Sequence, residues 1–236
     1  MQHEFPIPSQ SSNEDKFAIL KIRDILSSKG KYTYCEIGSY LGGSLTPFMN
    51  DNNCEYILSV DDRGKIQPDE RGVDFDYRHI SHQTMLDGLS NHYQDLSKLE
   101  TFDGSIHELV STKKFDLIFI DGEHTDYACF RDFIYAQKYI KNDGVIMFHD
   151  SNLIYKSLKI IQELLVCNNI FYKFIKIPNS VMSFIFFGDY INYFVEFEQE
   201  DLDKFYLESE NEILHSIIRN RVEGNYIIKE KTYITI

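Results

Sequence analysis

The chain has 236 residues, 43% hydrophobic and 26% charged, which suits one α/β domain with some decoration and a full core. A formal net charge of −13 argues against a nucleic-acid partner, which would need a basic stripe to face phosphate. No apolar signal segment opens the chain and no run reaches membrane-spanning length, and four isolated cysteines read as reduced core thiols; the expectation is a cytoplasmic protein without a membrane partner.

Residues 1–12 read as a polar leader. Phe17, Leu20, Ile22, Ile25 and Leu26 then recur at helical spacing until Gly30. An apolar run from Tyr32 to Ile37 predicts a strand, closed by a glycine turn and a short helix over 44–50. Residues 55–60 predict a second strand ending in Asp61-Asp62, and the charged stretch 63–78 reads as loop. A helix over 81–93 and a strand over 99–102 follow, the latter ending in Asp103-Gly104-Ser105. Phe115–Ile120 is apolar throughout, as a strand buried on both faces must be, and closes on Asp121-Gly122. Residues 124–140 read as helix, 144–148 as another buried strand closed by His149-Asp150, and 154–166 as helix. Strands over 170–177 and 181–187 flank Pro178-Asn179 and predict a closing hairpin. The expected fold is an α/β, Rossmann-like, doubly wound and mostly parallel seven-stranded sheet with an antiparallel closing hairpin strand. The division is a leader and helix over 1–30, the sheet domain over 31–187 and an extension over 188–236. The extension carries an acidic run (196–203), a helical pattern through Ile213, Leu214, Ile217 and Ile218, and a β-like stretch over 226–236. Its apolar face reads as packing on the body, with a homo-oligomer surface as the alternative.

In an open α/β sheet, ligands bind beyond the carboxyl ends of the strands. This sequence places Glu36, Gly38, Ser39, Gly42, Gly43 and Ser44 there, then Asp61, then Asp103 with Gly104 and Ser105. Asp121 with His124, and His149 with Asp150, complete the edge. Glycines let the main chain approach a ligand, and the spacing Gly38-x-x-x-Gly42-Gly43 is not the dinucleotide fingerprint G-x-G-x-x-G. Asp61 stands where an acid can accept two ribose hydroxyls. Asp121 and Asp150, on neighbouring strand ends, can share a hard divalent cation such as Mg²⁺, with His124 one helical turn away to take a proton. Singly, each of these residues also reads as a helix cap or a polar turn. The other histidines (3, 79, 82, 92, 107, 215) read as structural or exposed, and no G-x-S-x-G or Walker A sequence occurs.

With these pieces in order, the chain resembles the class I S-adenosylmethionine-dependent methyltransferases over 32–187. E-I-G-S-Y-L-G-G-S is similar to the family's first motif, and F-D-L-I-F-I-D-G-E-H with G-V-I-M-F-H-D is similar to the small-molecule O-methyltransferase branch of macrocin-type and cephalosporin-tailoring enzymes. The resemblance implies S-adenosylmethionine as cofactor, held at the first motif, Asp61, Asp103–Ser105 and Asp121. It implies Mg²⁺ on Asp121 and Asp150, with His149 taken as the third ligand and His124 as base. At the third position this chain departs from its relatives: His149 stands where some carry Glu, and Ser151 where others carry Asn. The implied partner is a small polar acceptor, a sugar or sugar-linked group. A phosphorylated or phosphoramidate acceptor is the alternative, received by Arg63, Lys65, Arg71 and Arg78 of the loop. A nicotinamide oxidoreductase and a non-catalytic partner protein are the readings from other classes.

Overall fold

The computed structural model describes residues 3–223 and the backbone of Ile227–Ile228. Helix α1 (Asn13–Lys29) starts at a capping box in which Ser12 and Asp15 satisfy each other's backbone N–H, and it stops at Gly30. Strand β1 (Tyr32–Ile37) leads through the glycine turn into α2 (Thr46–Asn50), which begins with Pro47 in its first turn. Then come β2 (Cys54–Asp61), β3 (Ile66–Pro68), β4 (Asp74–Asp76), α3 (His82–Ser90) and β5 (Leu99–Asp103). A 3-10 turn over Ile106–Glu108 precedes β6 (Phe115–Ile120), α4 (Asp126–Ala136) and β7 (Ile140–Phe148). The chain closes with α5 (Tyr155–Cys167), β8 (Tyr172–Lys176), β9 (Ser183–Phe187), a 3-10 stretch (Gly188–Glu196), α6 (Leu202–Glu223) and the short β10 (Ile227–Ile228).

Seven strands form one sheet in the order β5-β2-β1-β6-β7-β9-β8. Pairing is parallel from β5 to β7, while β9 runs antiparallel to both β7 and β8. Alternate side chains enter opposite layers. Tyr32, Tyr34, Phe119 and Met147 pack beneath α1, α2 and α3, whereas Cys35, Ile37, Ile118 and Phe148 pack beneath α4 and α5. The strand order reverses between β1 and β6, so the turns after these two strands face each other across the switch point.

The structure departs from the sequence reading at several places. The leader is not merely polar: Phe5 and Ile7 are buried in the core, which ties the segment down across the glycine turn. The stretch 63–78 contains the antiparallel pair β3–β4, extended by β10 in parallel with β4 into a second, small sheet. Strand β7 begins at Ile140, because α4 already ends at Ala136. Phe17, counted on the apolar face of α1, is exposed. Of the tail pattern, Ile213 packs on Leu153 and Tyr155 while Leu214 and Ile218 face outward. Apart from the backbone of Ile227–Ile228, the β-like stretch 226–236 lies outside the described residues. No described helix is long and apolar enough to cross a membrane.

Candidate active site

The turn after β1 is built from backbone. Gly38 has φ +91°, and a Cβ on it would lie 2.0 Å from the Asp121 carbonyl oxygen, so the β1 and β6 turns touch main chain to main chain. The β1–β6 register, Ile37 opposite Ile120, brings them there. Tyr40 holds φ +47°, a left-handed conformation costly for a bulky residue. Its N–H donates to Asp61 Oδ2 at 2.7 Å, so the strained turn is pinned to the end of β2. Burial pushes the Asp61 carboxyl above its usual range, and the Arg63 guanidinium, 3.5 Å away, pulls it back.

These turns bound a cleft of about 630 Å³ with an open mouth. Gly38, Ser39, Gly43, Ser44, Asp61, Asp121 and His124 all line it, as do Tyr40, Arg63, Tyr77 and the strap residues Ser9, Gln10 and Ser11. A second pocket adjoins it, sharing Gly38, Asp61 and Gly122 and adding Gly104, Ser105, His107, Arg131 and Asp132. Asp132 is buried, and its carboxyl is pushed up to about 6 despite pairing with Arg131.

Five of the sequence-selected residues line neither pocket, Asp150 beside His149 among them. Glu36 points into the α2 layer, fully buried, with both oxygens accepting from the Tyr34 and Ser44 hydroxyls; burial pushes its carboxyl up to about 8. It supports the turn by holding Ser44, which does line the cleft. Gly42 faces α3, where a Cβ would meet Met85 and Leu89 at 3.3 Å. Asp103 is exposed at the sheet edge. His149 is the fourth, and it is arranged as a cation.

At the β6–β7 end the site is a charge network. His149 Nδ1 lies 2.9 Å from Asp150 Oδ2 and 3.2 Å from Asp121 Oδ1, and Nε2 faces Asp15 Oδ2 at 3.6 Å. Burial lowers the affinity of the imidazole for a proton, but three carboxylates outweigh it and hold His149 well above its usual range. His149 is not in the group whose ligand atoms are spaced to hold a metal, which consists of Asp121, His124 and Asp150. Asp15 comes from the first turn of α1; its Oδ1 also accepts from Ser180 Oγ at 2.6 Å and from the Val181 N–H at 3.0 Å. These partners hold it well below the usual carboxylate range against the cost of burial. Asp150, with φ +49°, faces His124, whose Nε2 lies 3.2 Å from Asp150 Oδ2. The ligand atoms of Asp121, His124 and Asp150 all lie within 4.8 Å of one another, the spacing of a metal-binding group.

The four loop cations are paired. Arg63 faces Asp61, Lys65 faces Asp62, Arg71 faces Asp69 and Arg78 faces Asp76, so each has a carboxylate beside it. Sequence reasoning missed Asp15, Tyr77 and the strap. The apolar Phe5-x-Ile7 spacing was the available signal for the strap; Asp15 reads along the chain only as the capping-box partner of Ser12, because its partners at the site lie more than 130 residues away.

Residues 35–151 match the family described as a methyltransferase domain. A protein of Acanthamoeba polyphaga mimivirus is 26% identical over 124 residues, 52% of each chain, so this chain spans about half the length of the curated relative it matches. Among solved structures, the O-methyltransferase NovP aligns at TM-score 0.57 and 11% identity, covering 73% of this chain and 79% of that one. The O-methyltransferase TomG of Streptomyces achromogenes, solved with S-adenosylmethionine, aligns at 0.53 and 11%, covering 79% and 85%. At such identity the two structures speak to the fold.

Proposed function

We propose that this chain, whose residues 35–151 match a methyltransferase-domain family, is a class I S-adenosylmethionine-dependent O-methyltransferase of a small polar acceptor, a sugar or sugar-linked group. One observation carries the reading: the glycine turn, the buried acid Asp61, Asp121 and His124 line one cleft, and the ligand atoms of Asp121, His124 and Asp150 lie within 4.8 Å of one another. The backbone cradle at Gly38 and Gly43 fits a ligand that must approach the main chain closely. Asp61 Oδ1 is left to accept ribose hydroxyls, and the pocket at Gly104 and Ser105 suits the adenine.

S-adenosylmethionine supplies an activated methyl on a positive sulfur. What remains for the chain is to align an acceptor oxygen and remove its proton. His124 takes that proton, and Asp150 Oδ2, 3.2 Å from its Nε2, stabilises the imidazolium that forms. The rings of Tyr40 and Tyr77, 5.8 Å apart and both on the cleft, offer an apolar face for a sugar ring.

A divalent cation such as Mg²⁺ fits the same end. With Asp15, Asp121 and Asp150 ionised, three negative charges face the single charge of His149, and two remain uncompensated. Asp121 and Asp150 would hold the ion, which would lower the pKa of an acceptor hydroxyl.

Two measurements test the reading. S-adenosylhomocysteine should raise the melting temperature, and NAD should not. His124→Ala should lower kcat about 10²–10⁴-fold while the affinity for S-adenosylhomocysteine stays the same; equal loss of both removes His124 as base. Activity that survives exhaustive EDTA treatment removes the cation and leaves the rest standing.

A further inference from the structure

Two buried polar atoms on the cleft have no hydrogen-bond partner among the described residues: Arg63 Nη1 and Ser9 Oγ. Arg63 is nearly closed off from solvent, its side chain only 3% exposed. The other edge of its guanidinium is used: Nε donates to the Tyr40 carbonyl at 3.2 Å, and Nη2 lies against Asp61 and Met85 Sδ. A buried guanidinium nitrogen without an acceptor costs a full desolvation penalty, which an anionic ligand group would offset. Among the described residues lining the cleft, Arg63 is the one arginine or lysine, and the other charged groups there are the carboxylates of Asp61 and Asp121 beside His124. A carboxylate entering this cleft is therefore tolerated near Arg63 and repelled elsewhere.

Ser9 belongs to a strap anchored at both ends. On one side Phe5 and Ile7 are buried, the Thr46 hydroxyl donates to the Glu4 carbonyl and Arg23 pairs with Glu4. On the other side Ser12 caps α1. Between these anchors Pro8 and Ser9 press on the glycine turn: a Cβ on Gly43 would lie 2.6 Å from the Pro8 carbonyl oxygen and 2.8 Å from Ser9 Cβ.

We propose that Arg63 Nη1 and Ser9 Oγ together bind the α-carboxylate of the cofactor's amino-acid end, with the strap over 8–11 closing on it. This rests on the methyltransferase reading and deepens it, since the adenine and ribose positions leave the amino-acid end to the Ser9, Gly43 and Ser44 side of the cleft.

The test compares two ligands by calorimetry on the full chain. S-adenosylhomocysteine carries the carboxylate, and 5′-methylthioadenosine lacks it. Arg63→Met should weaken S-adenosylhomocysteine about 10–100-fold more than methylthioadenosine, as loss of a charge-assisted bond to the carboxylate does, any change in Asp61 being common to both ligands. Ser9→Ala should weaken the first ligand about 3–10-fold and spare the second. Equal loss of both ligands, loss of neither, or an effect confined to acceptor KM overturns the assignment. If Arg63→Met fails to fold, Ser9→Ala decides by the same comparison. A wild-type chain that binds neither ligand breaks the methyltransferase reading instead.

Discussion

The two ends of the cleft are made by different means. At the β1–β2 end the geometry is main chain: Gly38 against the Asp121 carbonyl, Tyr40 in a left-handed conformation, and an N–H bonded to Asp61. At the β6–β7 end it is charge: His149 is held among Asp15, Asp121 and Asp150, with His124 resting on Asp150. The first end resists substitution by steric exclusion. The second does so by electrostatic balance, in which each member sets the protonation of the others.

Gly38→Ala should break the backbone end outright. A Cβ 2.0 Å from a backbone oxygen cannot be relieved by a rotamer, and φ +91° adds strain of its own. The combined cost should be about 3–6 kcal/mol. A large drop in the urea midpoint would show it, and an unchanged midpoint would mean that the two turns do not touch.

Asp15→Asn should break the charged end with a smaller effect. The amide keeps an acceptor for Ser180 and Val181 but removes the negative charge opposite His149 Nε2. About 2–3 kcal/mol of stability should be lost at pH 7. Because the Asp15 carboxyl is held low in the folded chain, its contribution is present above the ordinary carboxylate range and fades as the pH falls through its folded value. Wild type and variant should therefore converge in acid. Curves that stay parallel would show that Asp15 acts only as a cap for α1.

This contrast also explains what could be read from the sequence. The succession of strands along the chain, the glycine turn and the place of Asp61 were legible because each is a local pattern: an apolar run, then glycine or acid at its end. His124 and Asp150 were legible as strand-end residues. The role of His149 was not, since it depends on a carboxylate from α1 that adjacency along the chain does not announce. Glu36 was misplaced for a simpler reason. Period-two alternation puts it on the same face as Tyr34, inside the α2 layer, although its position near the strand end suggested the cleft.

Glu36 supplies the mildest probe of the backbone end, because it supports the turn without lining the cleft. Its carboxyl lies at about 8 in the folded chain against 4.5 for an ordinary glutamate, with burial the leading cause. The folded chain therefore holds a proton that the unfolded chain releases between these values, so stability falls as pH rises from about 4.5 to 8 and levels off above. Between pH 7 and 9 the wild type should lose about 1 kcal/mol through this group. Glu36→Gln is neutral at every pH and nearly isosteric, so its stability should lack that loss. The gap between the two chains should move in favour of the variant as the pH rises from 7 to 9. Urea midpoints at both values measure it. Parallel behaviour would mean that Glu36 is already ionised at neutral pH, and the turn would then rest on a buried charge shared between Tyr34 and Ser44.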